Sequence, residues 1–290
     1  MSISKWIENN TKNLSGKRVV ISGSTGGLGR ELCSYLAYLG AELVLLDRNS
    51  EKSHKLAAEI KSRFNDVSIS CICADMSDIS SVKIAADTLS GMNIDYLILN
   101  AGAYSIPRHT CDTGYDNVFQ INFVSPYYLA RELLPSIEKR GGKIVAVGSI
   151  AHNYSKIDEN DIDFSTRKPA SKVYGNAKRY LTYGLFALNS DNISVAHPGI
   201  SFTGITNHYP KLIFALIKHP MKIIFPHPRV ACLSVLYALF AKCKFGEWVG
   251  PAILDIWGMP RVKKLHTASK EEMEKIAVIA DEIYKNVNKK

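Results

Sequence analysis

Two side chains that could transfer a proton, Tyr174 and Lys178, lie four residues apart in this chain. On a helix this spacing brings both side chains to one face. A tyrosine with a pKa of about 10 is a poor base at neutral pH, and an ammonium within about 6 Å would favour its ionised form. About one such pair would arise by chance in this composition, so the interpretation depends on the residues that accompany it.

Two further polar residues are candidates for the same site. Ser149 follows residues 143–147, a predicted strand, and so lies at a carboxyl end of the sheet, where open α/β folds bind ligands. Its hydroxyl could bond a substrate carbonyl, and a serine that merely stabilises a turn is the alternative. Asn122 lies in an apolar helical stretch, where it could hold a water or a backbone group, or be a plain core amide.

A glycine-rich loop, with Gly23, Gly27 and Gly29, follows the first predicted strand and opens a helical pattern. In a βαβ unit such glycines let the backbone turn sharply and approach a pyrophosphate, whose charge lies on the free N–H groups of the helix. The spacing is GxxxGxG rather than GxGxxG, and the lysine of a nucleoside-triphosphatase loop is missing. The loop therefore predicts a dinucleotide site.

The second predicted strand ends at Asp47-Arg48, about 20 residues after the loop. An acid at this position bonds the ribose hydroxyls and repels a 2′-phosphate, whereas an arginine binds that phosphate. Asp47 slightly favours NAD, and Arg48 leaves NADP open.

Short apolar runs alternate with helical patterns along the first two thirds of the chain, which is typical of βαβ units. The runs are residues 18–22, 42–46, 68–73, 96–99, 143–147 and 193–196. Strands this apolar are covered on both faces, and right-handed crossovers then give an α/β fold with a doubly wound parallel sheet.

We expect one domain over residues 1–290, because no linker or composition break divides the chain. Residues 14–200 would form the dinucleotide-binding and catalytic core, 201–250 a helical substrate lid, and 251–290 a C-terminal strand and helix. Residues 192–246 contain no Asp or Glu. This stretch could cover a hydrophobic substrate, its basic apolar segment 207–245 could contact anionic lipid, or it could simply pack on the core.

Composition excludes several classes of protein. The chain has 46% hydrophobic and 22% charged residues, as expected of a globular protein. Its net charge is +9, but the cationic residues are dispersed along the chain and no nucleic-acid-binding motif is present in the sequence. The six cysteines lack zinc spacing, so no metal site is expected and the thiols should be reduced. Without a signal peptide or an apolar run long enough to span a bilayer, a cytoplasmic protein is expected, with membrane association through 207–245 left open.

Taken together, these motifs resemble the short-chain dehydrogenase/reductase family over about residues 14–206. The matching motifs are Gly23-x-x-x-Gly27-x-Gly29, Asp75, Asn100-Ala101-Gly102, Asn122, Ser149, Tyr174-x-x-x-Lys178 and His197-Pro198-Gly199. Ser22 replaces the usual threonine, and Gly148 replaces a frequent first serine. The sequence Ser149-Ile150-Ala151-His152 and the His-Pro-Gly are similar to the retinol-dehydrogenase-like branch.

The resemblance implies a Rossmann-type fold and a catalytic tetrad of Asn122, Ser149, Tyr174 and Lys178. It implies that Lys178 also holds the nicotinamide ribose and that the cofactor is bound by a set of loop residues. That set is Gly23, Ser24, Thr25, Gly27, Leu28, Gly29, Asp47, Arg48, Asp75, Met76, Asn100, Ala101, Gly102, Tyr174, Lys178, Pro198, Gly199 and Thr203.

The activity that the resemblance implies is the NAD(P)-dependent interconversion of a primary or secondary alcohol, expected to be hydrophobic, and its aldehyde or ketone. Family members are commonly homodimers or homotetramers, so one of these states is expected. Two alternatives are a catalytically silent dinucleotide-binding regulator or scaffold, and a methyltransferase, in which Tyr174 and Lys178 would have no role.

Overall fold

The computed structural model describes residues 2–199 and 226–289, and within them eight strands form one sheet. The strands are β1 (Arg18–Ser22), β2 (Glu42–Asp47), β3 (Ile69–Cys73), β4 (Tyr96–Leu99), β5 (Lys143–Val147), β6 (Ile193–Ala196), β7 (Glu247–Ile253) and β8 (Trp257–Lys264). Their spatial order is β3-β2-β1-β4-β5-β6-β7-β8; β1 to β7 are parallel and β8 is antiparallel to β7. The order reverses between β1 and β4, where such sheets bind ligands. The predicted doubly wound α/β fold is confirmed.

Helices cover both faces of this sheet. They are α1 (Ile3–Asn10), α2 (Gly27–Tyr38), α3 (Ser50–Lys61), α4 (Ile79–Ser90), α5 (Asn117–Phe119), α6 (Ser125–Lys139), α7 (Ala170–Ala187), α8 (Pro228–Ala231), α9 (Leu233–Ala238) and α10 (Lys270–Lys289). A π-helical turn, Gln120–Val124, joins α5 to α6, and a 3₁₀ turn, Ile150–Asn153, follows β5.

The two faces of the sheet carry separate apolar cores. In β1, Val19 and Ile21 belong to the core beneath α1, α2, α3, α8 and α9, whereas Val20 belongs to the core beneath α4, α6, α7 and α10. This alternation follows from the two-residue period of a strand. Because both faces are dry, polar groups reach solvent mainly at the strand ends, and ligand chemistry is directed there.

The C-terminal helix α10 packs on α6 and α7 through an apolar stripe with helical spacing, Ile276, Ile279, Ala280, Ile283 and Val287. The two helices approach closely at Gly184 of α7, where a Cβ would lie 3.6 Å from the Cβ of Ala280, an ordinary contact. The end of the chain thus becomes part of the layer that carries Tyr174 and Lys178.

The segment before α10 differs from the sequence prediction. A single last strand was expected within residues 251–290, at residues 252–255. The structure instead has the hairpin of β7 and β8, which turns through Leu254 and Asp255 with positive φ angles of 50° and 57°. The apolar run at Ala252 continues into the turn, and apolar character alone does not distinguish a strand end from a tight hairpin.

The segment predicted as a lid also differs where the structure describes it. Residues 228–238 form α8 and α9, whose apolar side chains are buried against α2 and the sheet. The described part of the basic apolar segment 207–245 is therefore largely core. Residues 200–225, with Thr203, lie outside the described residues. Among the described helices, none has the length and apolarity needed to cross a bilayer.

Candidate active site

The glycine loop between β1 and α2 is packed so tightly that larger residues would not fit. Gly23 has a φ of +66°, and a Cβ there would lie 2.9 Å from the Cα of Ala101, in the loop after β4. A Cβ at Gly29 would overlap the Gly23 carbonyl oxygen and lie 2.8 Å from the Cα of Ser24. Helix α2 begins after Gly26 without a side-chain cap, which leaves its first N–H groups for a phosphate. The loop fits a pyrophosphate.

Ser22 and Asn100 fasten this loop to the end of β4. The Ser22 hydroxyl oxygen accepts hydrogen bonds from the backbone N–H groups of Asn100 and Ala101, each at 3.0 Å. The Asn100 amide donates to the carbonyls of Ser22 and Gly23 at 3.0 and 2.9 Å. Serine thus supplies the hydroxyl of the threonine it replaces, and Asn100 holds the loop backbone.

Asp47, expected to face the ribose, is 4% exposed and is directed into the loop instead. Its Oδ2 accepts hydrogen bonds from the hydroxyls of Ser24 and Ser53, and its Oδ1 accepts from the N–H and hydroxyl of Thr25 at 3.1 Å. A carboxylate has about four acceptor sites, and four donors occupy them here. Arg48, by contrast, is exposed at the end of the strand.

Asn122 lies in the π-helical turn, a feature that is common at functional sites. Its amide donates to the carbonyls of Val118 and Ala103, both at 2.8 Å, so it ties the helix to the segment after β4. A Cβ added to Gly102 would lie 2.9 Å from Asn122 Oδ1 and 3.7 Å from Lys178 Nζ. The absent side chain therefore leaves a polar recess bordered by the amide oxygen and the ammonium.

Tyr174 meets Ser149 because α7 lies unusually close to the 3₁₀ turn after β5. A Cβ on Gly175 would overlap the Ala151 carbonyl oxygen, so only glycine permits this contact. The Ser149 side chain lies close enough to the Tyr174 hydroxyl to lower its pKa, and the Tyr174 ring packs edge-on against Tyr104 at 5.3 Å between centroids. Gly175 was not among the predicted site residues. Its signal in the sequence is a glycine inside a helix, which costs stability unless the packing needs it.

Burial dominates the acidity of Tyr174. It raises the pKa of the phenol to about 12, and the adjacent Ser149 side chain opposes this rise. Lys178 was expected to lower this pKa. In the structure its Nζ is 5.7 Å from the Tyr174 ring centroid, but Lys178 is not among the groups that shift this pKa, and burial sets its direction. Tyr174 is therefore protonated at neutral pH.

Lys178 is 2% exposed, and its Nζ donates to the Val147 carbonyl at 2.8 Å. Burial lowers its pKa to about 7, because an ammonium loses hydration that a single carbonyl replaces only in part. Lys178 and Tyr174 thus both favour their neutral forms in the absence of a further charge.

The remaining predicted cofactor residues differ in their contacts and in their exposure. Asp75 binds the N–H and hydroxyl of Ser77 through Oδ1, at 2.9 and 2.7 Å. The Met76 side chain lies in the core, and its carbonyl accepts a hydrogen bond from Ser125, so any contact with a ligand would involve its backbone. Leu28 is buried, Gly27 is exposed, and Pro198 and Gly199 are partly buried near β7.

Within the described residues, no group of acidic, cysteine or histidine side chains has the arrangement of a metal site.

The buried ammonium predicts an unusual pH dependence of stability. The pKa of Lys178 falls from 10.5 in the unfolded chain to about 7 in the folded protein, so the unfolded state binds more protons between these values and stability rises with pH there. Replacing Lys178→Met removes this contribution. The free energy of unfolding of the wild type relative to K178M should increase from pH 7 to pH 10, by at most about 1.4 kcal/mol per pH unit.

Chemical denaturation at several pH values measures this difference, with the exposed Lys55→Met as the control. K55M should follow the wild type. A K178M curve parallel to that of the wild type would contradict burial as the origin of the lowered pKa.

Both the sequence and the fold of this chain are similar to those of known proteins. A family model described as short chain dehydrogenase matches residues 17–160. Human retinol dehydrogenase 13 is 27% identical over 67% of this chain and 62% of its own length. Polyprenol dehydrogenase of Mus musculus is 24% identical over 78% of this chain and 72% of its own. A crystal structure of a Mycobacterium paratuberculosis protein, 23% identical, superposes with a TM-score of 0.71 over 96% of this chain and 95% of the other.

The matched region contains the glycine loop, Asn122 and Ser149, and the superposed fold extends beyond it to the C-terminal helix. Both relatives are named as dehydrogenases. On these grounds the chain belongs to the short-chain dehydrogenase/reductase family of oxidoreductases, in its retinol-dehydrogenase-like branch.

Proposed function

We propose that this protein is a nicotinamide-dependent oxidoreductase that interconverts a hydrophobic alcohol and its aldehyde or ketone. The observation that carries the proposal is the close approach of Tyr174 to Ser149, which Gly175 permits, with Lys178 one helical turn away, at the sheet edge that also bears the glycine loop. A scaffold protein would have no need to bury a lysine with a depressed pKa beside that pair.

In the proposed reaction, Ser149 and Tyr174 bind the substrate oxygen. During oxidation the alcohol proton passes to the Tyr174 oxygen as the hydride leaves the carbinol carbon; during reduction Tyr174 returns that proton to the carbonyl oxygen. When bound, the nicotinamide ring exchanges the hydride and, in its oxidised form, brings a positive charge. Lys178 and Asn122 border the recess over Gly102, where they would hold the ribose and a connecting water.

A Tyr174 pKa of about 12 has a direct consequence for this scheme. The protonated phenol is ready to act as an acid on a carbonyl at neutral pH. To act as a base it must first lose its proton, which a nearby positive charge favours. The site therefore needs charge from Lys178, from the cofactor or from both before it can oxidise an alcohol.

Two observations support a hydrophobic substrate. The aromatic rings of Tyr104 and Tyr154 lie near the Tyr174 phenol, and Tyr154 is 44% exposed. The relatives include a retinol dehydrogenase and a polyprenol dehydrogenase, whose names specify apolar alcohols. A panel of hydrophobic alcohols and ketones, followed at 340 nm with NAD(H) and NADP(H), tests the class of reaction and the substrate together.

For the cofactor, we propose that NAD is preferred and NADP is accepted. Asp47 places a carboxylate group at the end of β2, although its oxygens bind the loop, and a carboxylate there would repel a 2′-phosphate. The exposed Arg48 beside it would attract the same phosphate.

Replacing Tyr174→Phe should lower turnover by at least about 100-fold, because it removes the proton-transfer group, and should leave the dinucleotide Kd unchanged. Steady-state kinetics and fluorescence titration measure the two quantities. The exposed Tyr38→Phe, at the end of α2, is the matched control and should retain turnover within about threefold. Equal turnover of the Y174F and Y38F proteins would remove Tyr174 from the mechanism.

Replacing Gly29→Ala should weaken dinucleotide binding by about tenfold or more, since the added methyl group must displace the backbone of Gly23 and Ser24. Gly91→Ala, outside the loop, is the control, because a Cβ there would lie 3.6 Å from its nearest neighbour, an ordinary contact. Fluorescence titration gives both affinities, and thermal unfolding checks that each variant folds. Similar affinities for the two variants would argue against a pyrophosphate in this loop.

Replacing Asp47→Asn removes the negative charge and keeps one acceptor oxygen, so affinity for NADP relative to NAD should increase by about tenfold. Ser53→Ala breaks a hydrogen bond to the same carboxylate and leaves its charge, so it should not alter the ratio. If both variants change the ratio equally, the shape of the loop rather than the charge determines the preference.

A further inference from the structure

Arg179, the residue after Lys178, is a buried cation that joins three distant segments of the chain. Its Nε and Nη2 donate to the two carboxylate oxygens of Glu272 in the first turn of α10, at 2.7 and 2.6 Å. Its Nη1 donates to the His152 carbonyl at 2.8 Å and its Nη2 to the Thr267 carbonyl at 2.7 Å. A guanidinium that is 2% exposed is stable only with such a set of acceptors, so these segments are fixed relative to one another.

His152 connects the same residues to Ser149. Its Nδ1 lies 2.5 Å from the Ser149 carbonyl oxygen, and its Nε2 lies 2.8 Å from the Thr267 hydroxyl. The Thr267 hydroxyl also bonds the Tyr183 hydroxyl. The histidine is 0% exposed, and its ring packs against Trp248 at 5.3 Å between centroids.

The proton positions in this chain of hydrogen bonds follow from the acceptors. Burial and the charge of Arg179 lower the pKa of His152, so its ring is neutral near pH 7. A carbonyl can only accept, so Nδ1 carries the proton and Nε2 is the acceptor for the Thr267 hydroxyl. Thr267 in turn accepts from Tyr183. One arrangement of protons thus satisfies all four groups, from Tyr183 to the Ser149 backbone.

We infer that Arg179, Thr267 and Glu272 are positioning residues that set the place of the Ser149 hydroxyl through His152. The inference rests on the proposed role of Ser149 in binding the substrate oxygen. Two donors from His152, the backbone N–H at 3.1 Å and the ring Nδ1–H, hold the Ser149 carbonyl, and Ser149 Oγ caps the turn by accepting from Ala151 N–H at 3.2 Å. The C-terminal segment thereby determines the geometry of a hydroxyl more than 115 residues earlier in the chain.

Thr267 offers a matched pair of variants. Thr267→Val keeps the shape of the side chain and removes the hydroxyl that donates to His152, whereas Thr267→Ser keeps that hydroxyl. T267V should lower kcat by about tenfold, because small displacements of a catalytic group cost up to about 100-fold, with the dinucleotide Kd within about twofold of the wild type. T267S should retain kcat within about twofold.

Hydrogen exchange provides a second measurement that does not depend on turnover. In the protein without substrate, peptides covering residues 149–157 should exchange faster in T267V than in T267S, while peptides covering the glycine loop should exchange equally. Equal exchange over residues 149–157 in the two variants would overturn the inference. Faster exchange with undiminished kcat would overturn it as well, since the turn would then move without effect on the reaction.

The two measurements separate this inference from the proposed function. If the wild type turns over none of the alcohols and ketones tested, the proposed function fails, and hydrogen exchange still decides whether Thr267 holds the Ser149 turn. If T267V does not fold, Glu272→Gln replaces it, with the exposed neighbour Glu271→Gln as control. E272Q should lower kcat and loosen residues 149–157, and E271Q should do neither; identical behaviour of the two would overturn the inference.

Discussion

The burial of an ionisable pair at one sheet edge is the constraint on which this molecule depends. Lys178 and Tyr174 lose most of their hydration, so the pKa of the lysine falls to about 7 and that of the tyrosine rises to about 12. The fold gives up stability to keep them there, as functional sites commonly do. Both side chains therefore favour their neutral forms, and a single added positive charge has a large effect on proton transfer.

Close backbone packing holds the groups around this pair in place. Gly175 lets α7 touch the turn that carries Ser149, and Gly23 and Gly29 let the phosphate loop fold against the end of β4. Hydrogen bonds then fix what packing allows: Asn100 binds the loop backbone, and Arg179 binds the C-terminal segment to the Ser149 turn. The geometry of the candidate site is thus built from contacts between distant parts of the described chain.

The fold, and the position of the candidate site residues at one edge of its sheet, could be predicted from sequence because their signals are local. Buried strands read as apolar runs, and the order of motifs along a doubly wound sheet brings Ser149, Tyr174 and Asn122 to one edge. Structural features that depend on tertiary contacts were not predicted. Nothing local indicates that Asp47 is directed to Ser24 and Thr25, that Arg179 pairs with Glu272, or that burial raises the pKa of Tyr174. The β7–β8 hairpin was mistaken for one strand because its turn is apolar.

In the proposed mechanism, burial keeps Tyr174 protonated until a positive charge is bound beside it. Ultraviolet difference spectra of the wild type against Y174F at 295 nm, recorded across pH with and without oxidised nicotinamide dinucleotide, follow the ionisation of this one phenol. We expect no tyrosinate signal from Tyr174 below pH 10 in the free protein, and a titration shifted down by more than about one unit with the oxidised cofactor bound. Ionisation below pH 10 in the free protein, or titrations that coincide with and without cofactor, would contradict the account.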